Sequence, residues 1–121
     1  MPGEKMTSYL CLIDLKSDAR ALAFAAALDA WLLLLRDDGC IGDWRLMRRK
    51  LNLAGDDFGD FLLEIHVRDL AQLDAAFHYL GRADGAARQL YDRMNQHVAR
   101  VRYALYRPFP DPERVERLTL V

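Results

Sequence analysis

The chain has 121 residues, with 17 lysine and arginine side chains against 18 aspartate and glutamate side chains. This length suits one domain that buries its own hydrophobic core. Because the two signs of charge nearly cancel, no overall field would attract nucleic acid or an anionic membrane, and the sequence predicts neither as a partner.

The cysteines predict a protein without a metal site, and the start of the chain and its longest apolar stretch bear on its location. Cys11 and Cys40 are far apart and belong to no CxxC or cysteine–histidine cluster, which predicts two reduced core thiols rather than a zinc site or a redox pair. No motif marks a cofactor site, and we expect no bound cofactor. The start of the chain lacks the basic and apolar regions of a signal peptide, so we expect a cytoplasmic protein. The longest apolar stretch, residues 21–35, is shorter than the roughly 20 residues of a membrane span.

The first two predicted elements are a central strand and an amphipathic helix. Residues 7–15 alternate between two largely apolar faces, which is typical of a strand covered on both sides. Ser17 is predicted to cap the following helix and Gly39 to end it. Apolar residues at helical spacing predict that this helix buries one broad face against a sheet.

Residues 41–51 and 58–67 are predicted to form strands 2 and 3 of an antiparallel hairpin. Charge complementarity selects the register. The selected register pairs Arg49 with Asp60, Met47 with Leu62, Arg45 with Glu64, and Asp43 with His66. Every polar pair is then complementary, whereas a shift by two residues brings like charges together or places Met47 opposite a carboxylate.

Two helices and a fourth strand complete the predicted order. Asp69 and Gln72 resemble a capping box that starts the second helix, and Gly81 ends it. A third helix, which includes Val98, leads into strand 4 at residues 101–107.

These elements predict one α+β domain over residues 1–107. The order is β-α-β-β-(αα)-β, with a four-stranded antiparallel sheet, strands 1 and 3 in the centre and the helices on one face. Residues 108–121 are predicted to form a proline-rich C-terminal extension that contacts the partner subunit of a dimer.

This order, the divided second helical segment and the proline-marked extension resemble the dimeric α/β-barrel superfamily over residues 7–107. The superfamily includes small monooxygenases, haem-degrading enzymes and stress-responsive barrel proteins. The resemblance implies a ferredoxin-like fold, a homodimer in which two sheets pack face to face, and small-molecule clefts between sheet and helices. Of the asparagine, tryptophan and histidine that haem-degrading members carry, this chain matches only the histidine, at His78.

Two other uses of the fold are disfavoured by the residues present. RNA recognition needs exposed aromatic residues with basic charge, and Asp60 and Glu64 beside Phe58 would repel phosphate. An acylphosphatase-like cradle needs an arginine-bearing, glycine-rich loop after strand 1, where the chain has only a predicted helix cap at Ser17.

The sheet face opposite the helices also predicts a homodimer. A monomer would expose an apolar row on this face: Leu10, Leu12, Met47, Leu62 and Ala104. An exposed apolar patch of roughly several hundred Å² normally marks an interface.

Candidate catalytic residues lie on the predicted hairpin. His66 is a titratable side chain that Asp43, opposite it, can orient and charge. Glu64 and Arg45 offer either a catalytic carboxylate with a guanidinium clamp or an ion pair that holds the register.

Tyr9, Trp44 and Tyr103 are the candidate ligand-binding residues. They are predicted to line a cleft between sheet and helices that holds a small apolar or aromatic molecule. Two functions stay open: a cofactor-independent oxygenase or isomerase in which His66, Tyr9 or Tyr103 polarises the substrate, and a non-catalytic ligand-binding or assembly protein whose charged sheet face only pairs subunits. An open cleft with convergent polar groups favours the enzyme, and a filled one favours the second function.

Overall fold

The computed structural model describes residues 6–51, 53, 55 and 57–109. Its elements, in chain order, are β1 (Thr7–Leu15), α1 (Ala21–Asp37), β2 (Trp44–Arg48), β3 (Phe61–Val67), α2 (Leu70–Gly81), α3 (Gly85–Asn95) and β4 (Val98–Tyr106). The strands form one antiparallel sheet in the order β2-β3-β1-β4, so β1 and β3 are central as predicted. This is the predicted ferredoxin-like arrangement.

The sheet has a helix face, covered by the three helices, and an open face on the other side. Successive side chains of a strand point to opposite faces, and the buried row on the helix face comprises Cys11, Ile13, Phe61, Leu63 and Val67. From α1, Phe24, Leu28 and Leu32 are at most 2% exposed and complete this core. The burial of these apolar side chains supplies the main drive for folding.

The hairpin register is the one that charge complementarity predicts. The confirmed neighbours are Arg45 with Glu64 and Met47 with Leu62 in the ladder, and Arg49 with Asp60 and Asp43 with His66 through backbone hydrogen bonds. Strand β2 ends at Arg48, earlier than predicted. Leu51 has a φ of 57°, a left-handed conformation that takes the chain out of the extended region.

The start of α1 differs from the prediction. The helix begins at Ala21 after Arg20, and no side chain caps it, so the predicted cap at Ser17 is wrong. The backbone N–H of Ala19 instead donates to the carbonyl of Lys16 at 3.0 Å. This turn separates β1 from α1 and leaves the first turn of the helix without a side-chain acceptor.

Gly39 ends α1 as predicted. Its φ is 78°, its N–H donates to the carbonyl of Arg36 at 3.0 Å, and the N–H of Cys40 donates to the carbonyl of Leu35 at 2.9 Å. This pair of bonds is the Schellman motif, which needs a left-handed residue, and glycine adopts that conformation without strain.

Asp69 begins α2 as predicted, because its carboxylate accepts from the backbone N–H of Gln72 at 2.8 Å. The Gln72 side chain does not close a capping box. Its Oε1 accepts from the N–H of Arg68 at 2.6 Å, and its Nε2 donates to the carbonyl of Gly39 at 3.0 Å. Gln72 therefore joins the start of α2 to the end of α1.

The C-terminal part of the sheet begins earlier than predicted. Val98, expected on the third helix, is the first residue of β4.

The described residues end at Phe109, so most of the predicted extension over residues 108–121 lies outside them, and its contact with a partner stays a prediction. Within the described part of the chain, no helix has the length and apolar character needed to span a membrane.

Candidate functional site

A cavity of about 210 Å³ lies between the helix face of the sheet and the three helices; we call it the sheet–helix cavity. Its wall is mostly apolar and includes Tyr9, Cys11 and Tyr103 from the sheet, with Phe77 and Tyr91 from the helices. Protein interiors leave few voids larger than a water molecule. The predicted cleft is therefore open space rather than a filled interface.

Three aromatic rings meet at one side of this cavity. The ring of Tyr9 lies 5.6 Å from the ring of Phe77 and 5.6 Å from that of Tyr103, both in edge-to-face geometry. Phe77 is 48% exposed and Tyr103 is 64% exposed. The cavity therefore reaches the surface between α2 and β4, at a rim formed by aromatic rings.

The polar groups of the cavity wall are few and uncharged. Burial raises the pKa of Tyr9 and of Tyr103 above the ordinary tyrosine value, and burial raises the pKa of the Cys11 thiol to about 12. All three groups are therefore protonated at neutral pH. The hydroxyls of Tyr9 and Tyr103 are therefore hydrogen-bond donors. Among the described residues that line the cavity none carries a charge.

Tyr9 and Tyr103 thus lie where the sequence predicts, but Trp44 does not line the cavity. The cavity lies over β1, β3 and β4, whereas Trp44 is on the edge strand β2. Its Nε1 donates to Oδ1 of Asp29 at 3.4 Å, and the Arg36 guanidinium lies 5.1 Å from its ring centroid. The lateral position of β2 in the sheet, which no local pattern reveals, separates Trp44 from the cavity.

Three of the four candidate catalytic residues, Arg45, Glu64 and His66, lie on the opposite side of the sheet from the cavity. Leu63 and Ile65 line the cavity, so Glu64 and His66, which alternate with them along β3, point to the open face. The expectation that His66 polarises a molecule in the cleft is therefore wrong. The alternation along β3 that predicts the apolar row from Phe61 to Val67 also indicates that His66 lies on the opposite face.

Glu64 is the centre of a polar cluster on the open face. Its Oε1 accepts from Arg45 at 2.8 Å, and its Oε2 accepts from the Ser8 hydroxyl at 3.0 Å and lies 3.1 Å from Nε2 of His66. The hydrogen bonds from Arg45 and His66 lower the pKa of Glu64. The lowered pKa keeps the carboxylate ionised at neutral pH, and three neighbours hold it where the side chain is only 18% exposed.

Asp43 does not belong to this cluster. Its side chain is 80% exposed and bonds to the guanidinium of Arg36 at 3.2 Å. The predicted side-chain pair of Asp43 and His66 is therefore replaced by the pair of Glu64 and His66. Residues two apart on one strand share a face, so Glu64 reaches the imidazole, whereas Asp43 turns toward the end of α1.

The rest of the open face is an apolar band that ends in a second charged group. A depression of about 300 Å³ is lined mainly by Leu10, Leu12, Met47, Phe58, Leu62, Ala104 and Tyr106. Beyond it, Asp60 accepts from the backbone N–H of Leu15 at 3.1 Å and lies 3.7 Å from Arg49. Apolar surface between two charged clusters is the layout of an interface core with a polar rim.

Several solved structures share this fold. Hydroxynitrile lyase from Passiflora edulis has 10% identity and a TM-score of 0.62, covering 85% of this chain and 93% of that one. SnoaB, a cofactor-independent oxygenase from Streptomyces nogalater, has 8% identity and a TM-score of 0.62, covering 88% and 99%. A dimeric protein of unknown function and ferredoxin-like fold from Bacteroides fragilis has 10% identity and a TM-score of 0.52, covering 84% and 95%.

At these identities the likeness concerns the fold alone, and it confirms the predicted resemblance to dimeric ferredoxin-like proteins. No curated protein matches the sequence. One family, described as "Family of unknown function (DUF6614)", matches residues 6–121. Since that match spans nearly all of the sequence, the chain belongs to DUF6614, a family of unknown function.

Proposed function

We propose that this protein is a homodimer that binds a small apolar or aromatic molecule in the sheet–helix cavity. The observation that carries the proposal is the cavity itself, which combines about 210 Å³ of space with an apolar wall and three tyrosines, Tyr9, Tyr91 and Tyr103. Ligand sites are typically concave and apolar, with few polar groups that orient the ligand. Removal of apolar ligand surface from water supplies the affinity.

The tyrosine hydroxyls define the proposed orientation of the ligand. Tyr9 and Tyr103 lie on neighbouring strands with their rings in contact, and both hydroxyls stay protonated because burial raises their pKa. They therefore favour a ligand that carries a hydrogen-bond acceptor, such as a carbonyl or phenolate oxygen. The edge-to-face rings of Tyr9 and Phe77 favour a flat ligand.

The proposed chemistry, if the ligand is a substrate, is cofactor-independent oxygenation or isomerisation. SnoaB shares the fold and is described as a cofactor-independent oxygenase. In this chain the Tyr9 hydroxyl would stabilise negative charge that develops on a substrate oxygen. Among the described residues of the cavity wall there is no carboxylate, imidazole or amine, so the substrate must be acidic enough to lose its proton to solvent.

A non-catalytic binding protein is the second candidate. The uncharged wall favours it because burial raises the pKa of Tyr9, Tyr103 and Cys11, so none of these three groups is a base at neutral pH. The Glu64 cluster favours it as well, since its three neighbours occupy the carboxylate and leave it a structural role on the open face.

The open face is the proposed subunit interface. The described part of the chain leaves the apolar band around Leu10, Leu12 and Leu62 without a covering element, and exposed bands of this kind normally pack against a partner. The neighbour from Bacteroides fragilis is described as dimeric. Two such faces, packed as sheet on sheet, would bury both bands.

Binding of the neutral fluorescent probe phenylnaphthylamine tests the cavity. Ala76 is 4% exposed and lines the cavity, so Ala76→Leu should fill it and weaken probe binding by about tenfold or more. Ala75→Leu is the matched control, because Ala75 is exposed on the same helix and is not among the residues that line the cavity. Equal binding by all three proteins, with unchanged near-ultraviolet circular dichroism, would refute a cavity site.

A second comparison tests the tyrosine hydroxyl. Tyr9→Phe removes one donor and preserves the ring, so it should weaken binding of the aromatic ketone tetralone by about tenfold and leave binding of the hydrocarbon tetralin unchanged. Loss of affinity for both ligands would assign Tyr9 a packing role only. Turnover is measured separately, as oxygen consumption with candidate ketones and phenols.

A further inference from the structure

A second cleft lies at the end of β1, where the chain turns into α1. It has a volume of about 460 Å³. Residues from three segments line it: Leu15, Lys16, Ser17, Ala19, Ala21, Arg48, Arg49, Asp60 and Phe61. None of these residues lines the sheet–helix cavity. We call this second cleft the basic cleft.

The charges of the basic cleft are unbalanced. Lys16, Arg48 and Arg49 are positive, and Asp60 is the one carboxylate among the lining residues. Asp60 is already engaged, because it accepts from the backbone N–H of Leu15 and lies 3.7 Å from Arg49. The surplus of positive charge therefore belongs to Lys16 and Arg48.

Neither of these two side chains forms an ion pair within the described part of the chain. The Arg48 guanidinium lies 5.7 Å from the ring centroid of Phe61. This contact fixes the guanidinium beside the cleft and leaves its N–H groups available for an acceptor. An anion in the cleft would accept hydrogen bonds from these N–H groups.

The start of α1 adds to this field. Ala21, the first residue of the helix, lines the cleft, and the helix start has no side-chain cap and no acidic residue in its first turn. The positive end of the helix dipole therefore faces the cleft with no carboxylate in the first turn of the helix to offset it. Ser17, which does not cap α1, adds a hydroxyl donor to the lining.

We propose that the basic cleft binds the phosphate group of a small phosphorylated molecule. Arg48 and Lys16 supply charge-assisted hydrogen bonds, while the Ser17 hydroxyl and the first N–H groups of α1 donate to the remaining phosphate oxygens. The volume exceeds what one phosphate ion fills, so the cleft also has space for the organic part of a phosphomonoester. This site is independent of the molecule bound in the sheet–helix cavity.

Isothermal titration calorimetry with inorganic phosphate and with phenyl phosphate, at constant ionic strength, tests the proposal. We expect saturable binding of both, with phenyl phosphate bound more tightly. Arg48→Ala and Lys16→Ala should each weaken binding by about tenfold. Arg93→Ala, which removes the same charge from an exposed site on α3, is the matched control and should bind as the parent protein does.

Each outcome decides between the alternatives. Equal affinity for the two ligands would still support the site and would identify free phosphate as its ligand. No saturable binding, or the same loss in Arg93→Ala as in Arg48→Ala, would overturn the proposal. Because Arg48 and Arg49 also border the depression on the open face, the oligomeric state of each variant is measured alongside, and phenylnaphthylamine binding should be unchanged in Arg48→Ala.

Discussion

Arg45 and Glu64 are directly opposed in the β2–β3 ladder, and the Arg45 guanidinium donates to Oε1 of Glu64 at 2.8 Å. A shift of the strands by two residues would place Asp43 opposite Glu64 instead, with two like charges in contact. The ion pair therefore favours the observed register over its nearest competitor.

Reversal of the Arg45 charge should cost more than its removal. Arg45→Ala should lower the free energy of unfolding by about 0.5 kcal/mol, because the side chain is 64% exposed and solvent screens the pair. Arg45→Glu should lower it by about 1 kcal/mol, since it adds repulsion between opposed carboxylates. Urea unfolding at one protein concentration measures both, with Lys50→Glu as the control, because Lys50 is exposed just beyond β2 and forms no ion pair within the described residues. Equal losses for the two Arg45 variants would contradict the prediction.

The Glu64 cluster should make stability depend on acid pH. The pKa of Glu64 is lowered in the folded protein, first by the hydrogen bond from Arg45 and then by that from His66. A carboxyl with a lowered folded-state pKa stabilises the fold above its unfolded pKa, about 4.3, and this stabilisation disappears as pH falls through the folded value. The advantage of the parent protein over Glu64→Gln, about 1 kcal/mol, should therefore shrink below about pH 4.3.

Urea titrations of both proteins across this range measure that difference. Because both chains share all other carboxyls, general acid destabilisation cancels in the comparison. An advantage that stays constant down to about pH 3 would show that Glu64 titrates alike in the folded and unfolded chains.

Leu62→Glu should dissociate the proposed dimer. Leu62 lies in the apolar band of the open face, and a buried, unpaired carboxylate there would cost several kcal/mol, roughly the surplus that a modest interface retains. Sedimentation equilibrium at micromolar concentration should show a dimer for the parent protein and a monomer for Leu62→Glu. Leu33→Glu, at a 41% exposed position of α1, controls for the added charge and should stay dimeric. A monomeric parent protein would reject the interface.

Cys11 should be nearly inert to thiol reagents in the folded protein. Burial raises the pKa of its thiol to about 12, and only the thiolate reacts, so alkylation at about pH 8 should be on the order of a thousandfold slower than in the unfolded chain. Iodoacetamide labelling with peptide mapping, with and without urea, measures the ratio for Cys11 alone. Rapid labelling in the folded state would mean that the sheet–helix cavity exposes the thiol.

Much of the fold follows from patterns along the chain. The bounds of β1, the Asp69 cap, the Gly39 stop and the hairpin register were all predictable, because each depends on residues that are close in sequence or directly paired across two strands. The prediction that Ser17 caps α1 was wrong because serine is favoured both at helix caps and in turns, and the sequence does not distinguish the two. The prediction that Trp44 lines the cavity failed because alternation along a strand predicts which face of the sheet a residue occupies. It does not predict whether its strand is central or at the edge of the sheet.

The sequence by itself determined the element order, the register and the apolar or charged character of each strand face, since these express interactions between near neighbours. Only the tertiary structure decided that the space behind Tyr9 is open, that His66 and this space lie on opposite sides of the sheet, and that Lys16 and Arg48 border one cleft. The physical reason is that a cavity is the volume left where helices and a sheet fail to interdigitate. That volume depends on the packing of distant segments together, and no local pattern along the chain contains it.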